Sequence, residues 1–574
     1  MCNTFNSFYT SAAVDIGFDD DIPSNKFGDV LINSICEKYA SHSSILAIQR
    51  NISGRTFHFD HTNESEVLMI VRKLNPKKSA GYDYISPKVL KSCIHILCPT
   101  ITRIINYCIQ QGTFPCQLKL AEVSSIFKKK DKLDKGNYRP ISVLIIASKV
   151  FEKIFVIRMT NYFQTVFSPL LSGYRDGYSC EHILIKFISV WKTALDNNAY
   201  FGTVLMDLSK AFDCLPHCLL IAKMRAYGFS VLSCSLVCSY LSNRKQRVKM
   251  GSIRSDWLPL RKGVPQGSIM GPVLFNIFIH DMFYFINSSI LLNYADDNTI
   301  VSCNNNLDDL VNCLSNESNI AVKWFSENGM QANPSKFQVM ISHRINNVFK
   351  PVYIDDAPVI PQDSVKLLGV TFDSKLTFDL HVDSICKKAS RSLNVLKRFS
   401  KILSTKNKLK IFQSFINSNF TYCPVVWHFC SKKQTRNMEK IQERSLRFVY
   451  NDFHSTYNEL LLRTNKDTLH VMRLKRMLTL VYKCINASGP SFLHSLFTTK
   501  HINYNLRNSI ALQQPNVNTV LQGLNSIIYH GPKLWNELPN NIKNVDSVSK
   551  FKLLIKKFKG KLCTCSYCQP FHTM

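Results

Sequence analysis

The four residues Tyr294-Ala295-Asp296-Asp297 constrain this chain more than any other stretch. An apolar run precedes them (Ile290-Leu291-Leu292) and a β-prone run follows (Thr299-Ile300-Val301). Two strand-like runs joined by a tight acidic turn read as a β-hairpin carrying adjacent carboxylates at its tip. Side by side, two unpaired anions repel, and a bound divalent cation is the usual relief. Magnesium suits such oxygen ligands, taking one or two carboxylates and completing its octahedron with water and phosphate oxygens. Alone, an acidic dipeptide is more often a polar turn or a helix N-cap.

A third carboxylate in a matching setting changes that balance. Tyr200-Phe201-Gly202-Thr203-Val204-Leu205-Met206 is another β-prone run, and it ends on Asp207. Ser209-Lys210-Ala211-Phe212-Asp213 follows, then a helix-like stretch broken by Pro216. A strand delivering Asp207 beside the hairpin would gather three carboxylates, enough for two magnesium ions in the arrangement used for in-line phosphoryl chemistry. Between them, Gly263-Val264-Pro265-Gln266-Gly267-Ser268 forms a turn-rich loop opening an apolar helix from Val273 to Ile279. Its glycines allow close backbone approach to a ligand.

The order DLSKAFD, GVPQGSIMGPVLFNIFI, YADD resembles reverse transcriptase motifs A, B and C. The flanking blocks are similar to the non-LTR (LINE-type) retrotransposon branch, in particular its jockey-like and chicken-repeat members. Leu74 to Pro87, Gly136 to Ser142 with Ser148 to Lys153, and Leu171 to His182 resemble successive blocks ahead of motif A. Asn333-Pro334-Ser335-Lys336 resembles motif D, and Leu367-Leu368-Gly369-Val370 resembles motif E. The blocks keep family order from about residue 60 to 380.

The bulk properties agree. A chain of 574 residues is long enough for several domains. Lys and Arg number 71 against 40 Asp and Glu, leaving +31. That excess suits a polyanion, nucleic acid first and anionic lipid second. No stretch of eighteen uninterrupted apolar residues is present, so no membrane-spanning helix and no membrane partner are expected. The start, Met1-Cys2-Asn3-Thr4-Phe5-Asn6, lacks the regions of a secretory signal. The 20 cysteines are scattered singly and read as reduced thiols of an intracellular protein.

The resemblance implies an α+β right-hand polymerase: fingers, a palm with an antiparallel sheet, and a helical thumb, plus a mainly helical C-terminal extension. Residues 1–60 read as loop-like, with an acidic patch at Asp19-Asp20-Asp21, and Phe5 to Tyr9 resembles the segment joining an upstream endonuclease to the polymerase. The expectation is a linker remnant downstream of a missing endonuclease. Fingers are expected at 61–165, palm at 166–380, a thumb-like basic helical region at 381–460 and the extension at 461–574. Within 381–450, 15 Lys and Arg face three acidic residues, and Ile385, Ala389, Leu393, Leu396 and Leu403 follow helical spacing. One face would pack while the other tracks phosphates or is merely solvated. Tyr422 to Trp427, Ile441 to Arg444, Asn505 to Asn508 and Leu534 to Asn536 extend the likeness toward the end.

By resemblance, Asp207, Asp296 and Asp297 are the metal ligands, with the Leu208 carbonyl as a further oxygen. Arg139 matches the fingers arginine that grips the incoming triphosphate, a role suited to a forked guanidinium. Ser124-Ser125 stands where the family carries proline before the lysine run Lys128-Lys129-Lys130. Phe212 occupies the place of an aromatic steric gate against ribose, and Asp213 reads as a local cap or pair. Gln266 and Gly267 match residues that contact the template and nascent base pair. Lys336 matches the lysine proposed to protonate pyrophosphate, although a solvated lysine fits as well. The tail holds Cys563, Cys565, Cys568 and His572, spaced too tightly for a usual zinc knuckle, so free thiols are preferred to zinc.

The reading is an RNA-directed DNA polymerase of a non-LTR retrotransposon, extending a DNA 3′-hydroxyl on an RNA template with two magnesium ions (or substituting manganese). Its partners would be template RNA, primer or target DNA and deoxynucleoside triphosphates. Its setting would be a cytoplasmic ribonucleoprotein and then the nucleus. The rivals are an inactive RNA-binding relic of a truncated element and an intron maturase-type enzyme.

Overall fold

The structure is a computed structural model. It describes residues 1–11, 22–23, 26, 28–52, 54–129, 131–208, 211–344, 350–500, 511–558 and 562. Asp19-Asp20-Asp21, Lys130, Ser209-Lys210, Asn505 to Asn508 and the Cys563, Cys565, Cys568, His572 quartet lie outside the described residues. The chain divides into two compact units whose segments alternate along the sequence. One comprises Met1–Tyr174, Met206–Asn287 and Glu317–Lys336; the other comprises Arg175–Leu205, Ser288–Asn316 and Phe337–Met574.

The class is α+β. In chain order the strands are β1 (Leu120–Phe127), β2 (Tyr138–Leu144), β3 (Tyr200–Met206), β4 (Arg244–Met250), β5 (Ile253–Arg254), β6 (Leu258–Leu260), β7 (Ile290–Tyr294), β8 (Asp297–Asn304) and β9 (Gln338–Ser342). Two small hairpins follow, β10 (Val352–Ile354) with β11 (Ala357–Val359), and β12 (Ser364–Leu367) with β13 (Val370–Asp373).

In the first unit the sheet runs β2-β1-β4-β5, with β6 also on β4. The N-terminal stretch corrects the loop reading. Cys2–Ser11, Gly28–Lys38 and Ser43–Asn51 are helices. Cys2, Phe5 and Tyr9, at near-helical spacing, bury themselves with Val123 of β1 and Val248 of β4. The fully buried Asn6 donates from Nδ2 to the carbonyls of Gln246 (3.3 Å) and Asp256 (2.9 Å). The segment is thus part of this unit's core, because short apolar repeats need only a waiting sheet to fold upon.

The helix Pro87–Gln111 is also unanticipated. It is long and apolar enough, by length and composition, to cross a membrane. In this fold it buries Leu90, Ile94, Cys98, Ile105 and Ile109, and it packs on the helices Glu64–Lys73 and Val231–Leu241. Its ends carry ordinary stops: Ser86 caps the start by accepting from Val89 N, and Gly112 closes it at φ 60°. Pro216 does not break a helix but precedes one, His217–Ala226.

The second unit holds the sheet β7-β8-β3-β9, with β7–β8 and β3–β9 antiparallel. The helix Cys180–Asp196 covers it, Trp191 stacking on Phe201 at 4.5 Å between centroids. At Gly202 a Cβ would stand 2.5 Å from Leu314 of the helix Leu307–Glu327, so glycine lets that helix close on β3. Beyond the sheet lie two packed helices, Asp379–Phe399 and Lys432–Tyr450. Ile385, Ala389, Leu393 and Leu396 are buried on the first, as their spacing implies, while Lys387, Lys388, Arg391, Lys397 and Arg398 are exposed. Leu403 does not belong to this face, since the helix ends at Phe399. The helices Tyr457–Thr464, Leu469–Ile485, Ile527–Asn536 and Val548–Lys557 make the remainder of this unit mainly helical.

Candidate active site

The hairpin tip is built by four residues. β7 and β8 pair with Tyr294 opposite Asp297, leaving Ala295 and Asp296 as a two-residue turn. Ala295 has φ 59°, the left-handed conformation that such a turn requires at its first position and that glycine usually fills. Asp296 and Asp297 are both exposed. Their carboxylates are therefore consecutive at the turn, one on it and one on the first residue of β8.

Two asparagines that the sequence reading passed over fix this turn. Asn293 and Asn298 face each other one pair further in, each about 1% exposed. Asn293 Nδ2 donates to Asn298 Oδ1 at 2.8 Å and to the Ala295 carbonyl at 2.9 Å. Asn298 Nδ2 donates to the Asp296 carbonyl at 3.2 Å. Both turn carbonyls are thus held by side-chain amides, which offsets the cost of the positive φ. The signal was present as Asn-Tyr-Ala-Asp-Asp-Asn, an asparagine on either side of the motif at paired positions.

β3 lies next to β8 in the same sheet, and Thr203 Oγ1 donates to the Ile300 carbonyl at 2.9 Å. The strand ends at Met206, and Asp207 is the next residue, exposed and counted with the other unit. The adjacent Leu208 forms an antiparallel bridge with Ala332. That bridge lays the Asp207 segment beside the stretch leading to the exposed Lys336, at the end of a 3₁₀ turn. Among the described residues, no three His, Cys, Asp or Glu side chains, Asp207, Asp296 and Asp297 included, gather into a cage or any other group that could hold a metal ion by themselves. Magnesium needs no such cage, because water and substrate phosphates supply most of its ligands. The exposed carboxylates of Asp296 and Asp297 are of the right chemistry for it.

In the first unit, the remaining residues cluster around the 263–268 loop. Gln266 Nε2 donates to both carboxylate oxygens of Asp213, at 2.9 and 3.1 Å, which gives Asp213 a local partner. Val264 N donates to the Phe212 carbonyl at 2.9 Å. A Cβ at Gly263, where φ is 74°, would stand 2.4 Å from the Asp213 carbonyl oxygen. On its other side the loop meets β2: Ser142 N donates to the Gln266 carbonyl at 2.8 Å, and a Cβ at Gly267 would stand 2.3 Å from the Ser142 carbonyl oxygen. Both glycines are demanded by close backbone approach. Arg139, exposed, lies three residues before Ser142 on β2.

Phe212 is half-buried, its ring stacked on Phe275 at 4.5 Å and edge-on to Tyr174 at 5.8 Å. Two rings hold its rotamer. Behind the loop, Glu152 is fully buried, and its carboxylate accepts from Ile269 N (2.5 Å), Met270 N (3.3 Å) and Ser148 Oγ (3.0 Å). It ties the loop to the helix Ile146–Phe163 at the entrance of the helix Gly271–Ile279. Burial raises its pKa above the usual carboxylate value, opposed by these donors and by the Arg244 charge. Sequence reasoning did not find this role; the signal was the single carboxylate of a helix whose other charges, Lys149, Lys153 and Arg158, are basic.

Residues 127–372 match the family described as reverse transcriptase (RNA-dependent DNA polymerase). The chain is 28% identical over 399 residues to a probable RNA-directed DNA polymerase from transposon X-element of Drosophila melanogaster, covering 67% of this chain and 43% of that protein. It is 26% identical over 404 residues to the RNA-directed DNA polymerase from mobile element jockey of Drosophila funebris, covering 68% and 44%. The chain therefore spans less than half the length of these relatives. Among solved structures, a telomerase from Candida albicans in complex with a telomeric RNA fragment matches at TM-score 0.34 and 12% identity, over 66% of this chain and 69% of that one.

Proposed function

We propose that this chain, whose residues 127–372 match the reverse transcriptase family, extends a DNA 3′-hydroxyl on an RNA template by two-magnesium nucleotidyl transfer. The observation that carries this reading is the pair of exposed carboxylates, Asp296 and Asp297, on a turn whose carbonyls are held by Asn293 and Asn298. Asp207, set directly after β3, is assigned as the third carboxylate, with the Leu208 carbonyl as a further oxygen. When bound, magnesium supplies a lowered pKa for the primer hydroxyl and neutralises charge on the leaving pyrophosphate.

Around that chemistry the protein's own groups have distinct tasks. Arg139 grips the triphosphate, its guanidinium matching two phosphate oxygens at once. Phe212, held by Phe275 and Tyr174, blocks a ribose 2′-hydroxyl. Gln266 and Gly267 sit under the nascent base pair, where the loop's contact with β2 fixes the floor. Lys336 protonates the leaving group. The exposed basic faces of Asp379–Phe399 and Lys432–Tyr450 contact the backbone of the template–primer duplex without reading sequence. In the retrotransposon setting the protein assembles with its RNA in the cytoplasm and acts on nuclear DNA.

The test is extension of a DNA primer annealed to RNA, with deoxynucleotides and magnesium, against a chelator control. Magnesium-dependent extension supports the reading. Absence of extension from a preparation that binds the primed RNA overturns it.

A further inference from the structure

A basin of about 460 Å³ lies wholly within the second unit, outside the residues that match the reverse transcriptase family. Five elements wall it: the wide turn Phe412–Asn417, the helix Lys432–Tyr450 at Gln442, the end of Tyr457–Thr464, the helix Leu469–Ile485 and the helix Val548–Lys557. Its charged lining consists of Lys466, Lys475, Arg476, Lys552, Lys556 and one carboxylate, Asp467. Asp467 is engaged by Lys475 at 2.8 Å, and Lys475 also donates to the Lys556 carbonyl at 3.0 Å. Lys466, Arg476, Lys552 and Lys556 are left lining one concavity whose one carboxylate, Asp467, is already engaged, while Glu181 acts on Arg476 from outside the lining. Burial, and then the Lys556 charge, push the Lys466 ammonium below the ordinary lysine value. Its Nζ stands 5.5 Å from the centre of the Phe412 ring, which is buried behind the wall and not open to the basin.

A set of like charges crowded into a polar hollow is relieved by a multivalent anion. The rest of the lining narrows the class. Gln413 and Asn417 offer amides, suited to sugar hydroxyls and phosphate oxygens alike. Among the described residues no aromatic ring lines the basin, so bases would find no stacking platform and contact would fall on the backbone. We propose that this basin is a second nucleic-acid site, holding consecutive phosphates of a single-stranded RNA segment without regard to its sequence. The choice of RNA rests on the proposed polymerase function; the anionic, backbone-directed character rests on the basin alone.

The test uses the full chain, a fluorescein-labelled single-stranded RNA oligomer, and binding measured by anisotropy across a salt series in EDTA without deoxynucleotides. Keeping polymerisation out of the assay separates failure of this inference from failure of the polymerase reading. Lys552→Glu/Lys556→Glu, both exposed on one helix, is compared with Lys366→Glu/Lys375→Glu, an equal charge reversal at exposed positions elsewhere in the unit. The expected result is about tenfold weaker binding for the basin variant alone, with the slope of log affinity against log salt reduced by about 1.4, as for two lost single-strand phosphate contacts. Lys552→Gln/Lys556→Gln, which removes charge without reversing it, should show the same loss in smaller measure and guards against misfolding of the first variant. Unchanged affinity and slope in both basin variants, or an equal loss in the control, would overturn the proposal. A matching DNA oligomer bound as tightly as RNA, with the same dependence on Lys552 and Lys556, would overturn the assignment to RNA.

Discussion

Asn293 and Asn298 face each other across the hairpin that bears Asp296 and Asp297, their carboxamides hydrogen-bonded at 2.8 Å. Each also holds one carbonyl of the turn, at Ala295 and at Asp296. Replacing Asn293 with Leu removes both of its donations and leaves the Asn298 oxygen buried without that donor. A cost of about 1–3 kcal/mol is expected in thermal or denaturant unfolding. Because the turn positions the carboxylates, deoxynucleotide incorporation should slow by about tenfold with RNA affinity unchanged. Wild-type incorporation by Asn293→Leu would remove the positioning role.

Phe212 is wedged between Phe275 and Tyr174. If its ring blocks the ribose 2′-hydroxyl, Phe212→Val should narrow the preference for deoxynucleotides over ribonucleotides by roughly 10–200-fold, the range available to a steric pocket. Competition between dCTP and CTP in primer extension reads this directly. An unchanged ratio would show that sugar selection lies elsewhere.

Buried histidines predict acid sensitivity in the second unit. Burial holds the imidazoles of His182 and His381 neutral, with pKa values pushed down to about 4. His428 is lowered further in direction, by burial and then by the neighbouring His470 and Arg473 charges. In the unfolded chain these groups titrate near 6.5, so the unfolded state binds more protons as pH falls. Stability is therefore complete above about pH 6.5 and lost progressively from there toward pH 4, by about 3 kcal/mol for each of the first two groups. Denaturant unfolding at pH 7.5 and pH 5 should show the loss, and His182→Asn should lessen it. Equal stability at both pH values would contradict it.

The first eleven residues give a prediction about folding. Asn6 donates to two carbonyls of the first unit from a fully buried position, and Phe5 and Tyr9 share a core with Val123 and Val248. Asn6→Leu should cost about 1–3 kcal/mol, since the Gln246 and Asp256 carbonyls lose a donor. A dispensable linker would tolerate the change without any shift in melting temperature.

Much of the site was legible because its signals are local. Consecutive aspartates between two β-prone runs announce a hairpin, and Tyr200 to Met206 reads as a strand from its residue types. Gly263 and Gly267 read as room for a ligand, whereas what approaches them is the chain's own backbone at Asp213 and Ser142. What was missed depends on partners distant in sequence. Cys2, Phe5 and Tyr9 look like a sparse loop until β1 and β4 supply the surface they cover. Glu152, between Lys149 and Lys153, looks like an ordinary surface charge of its helix until the amides of Ile269 and Met270 meet it. Leu403 fitted a periodic pattern that the chain had already ended at Phe399. The long helix Pro87–Gln111 escaped notice because polar residues interrupt its apolar run while leaving its average hydropathy high.

The most direct measurement is single deoxynucleotide incorporation on a primed RNA template in magnesium, comparing wild type with Asp297→Asn, with RNA affinity taken on the same preparations. Removing one charge from the carboxylate pair while keeping its shape should slow incorporation by roughly a thousandfold, about 4 kcal/mol of transition-state stabilisation, and leave RNA affinity unchanged. Incorporation by the variant at the wild-type rate would contradict a catalytic role for the hairpin carboxylates.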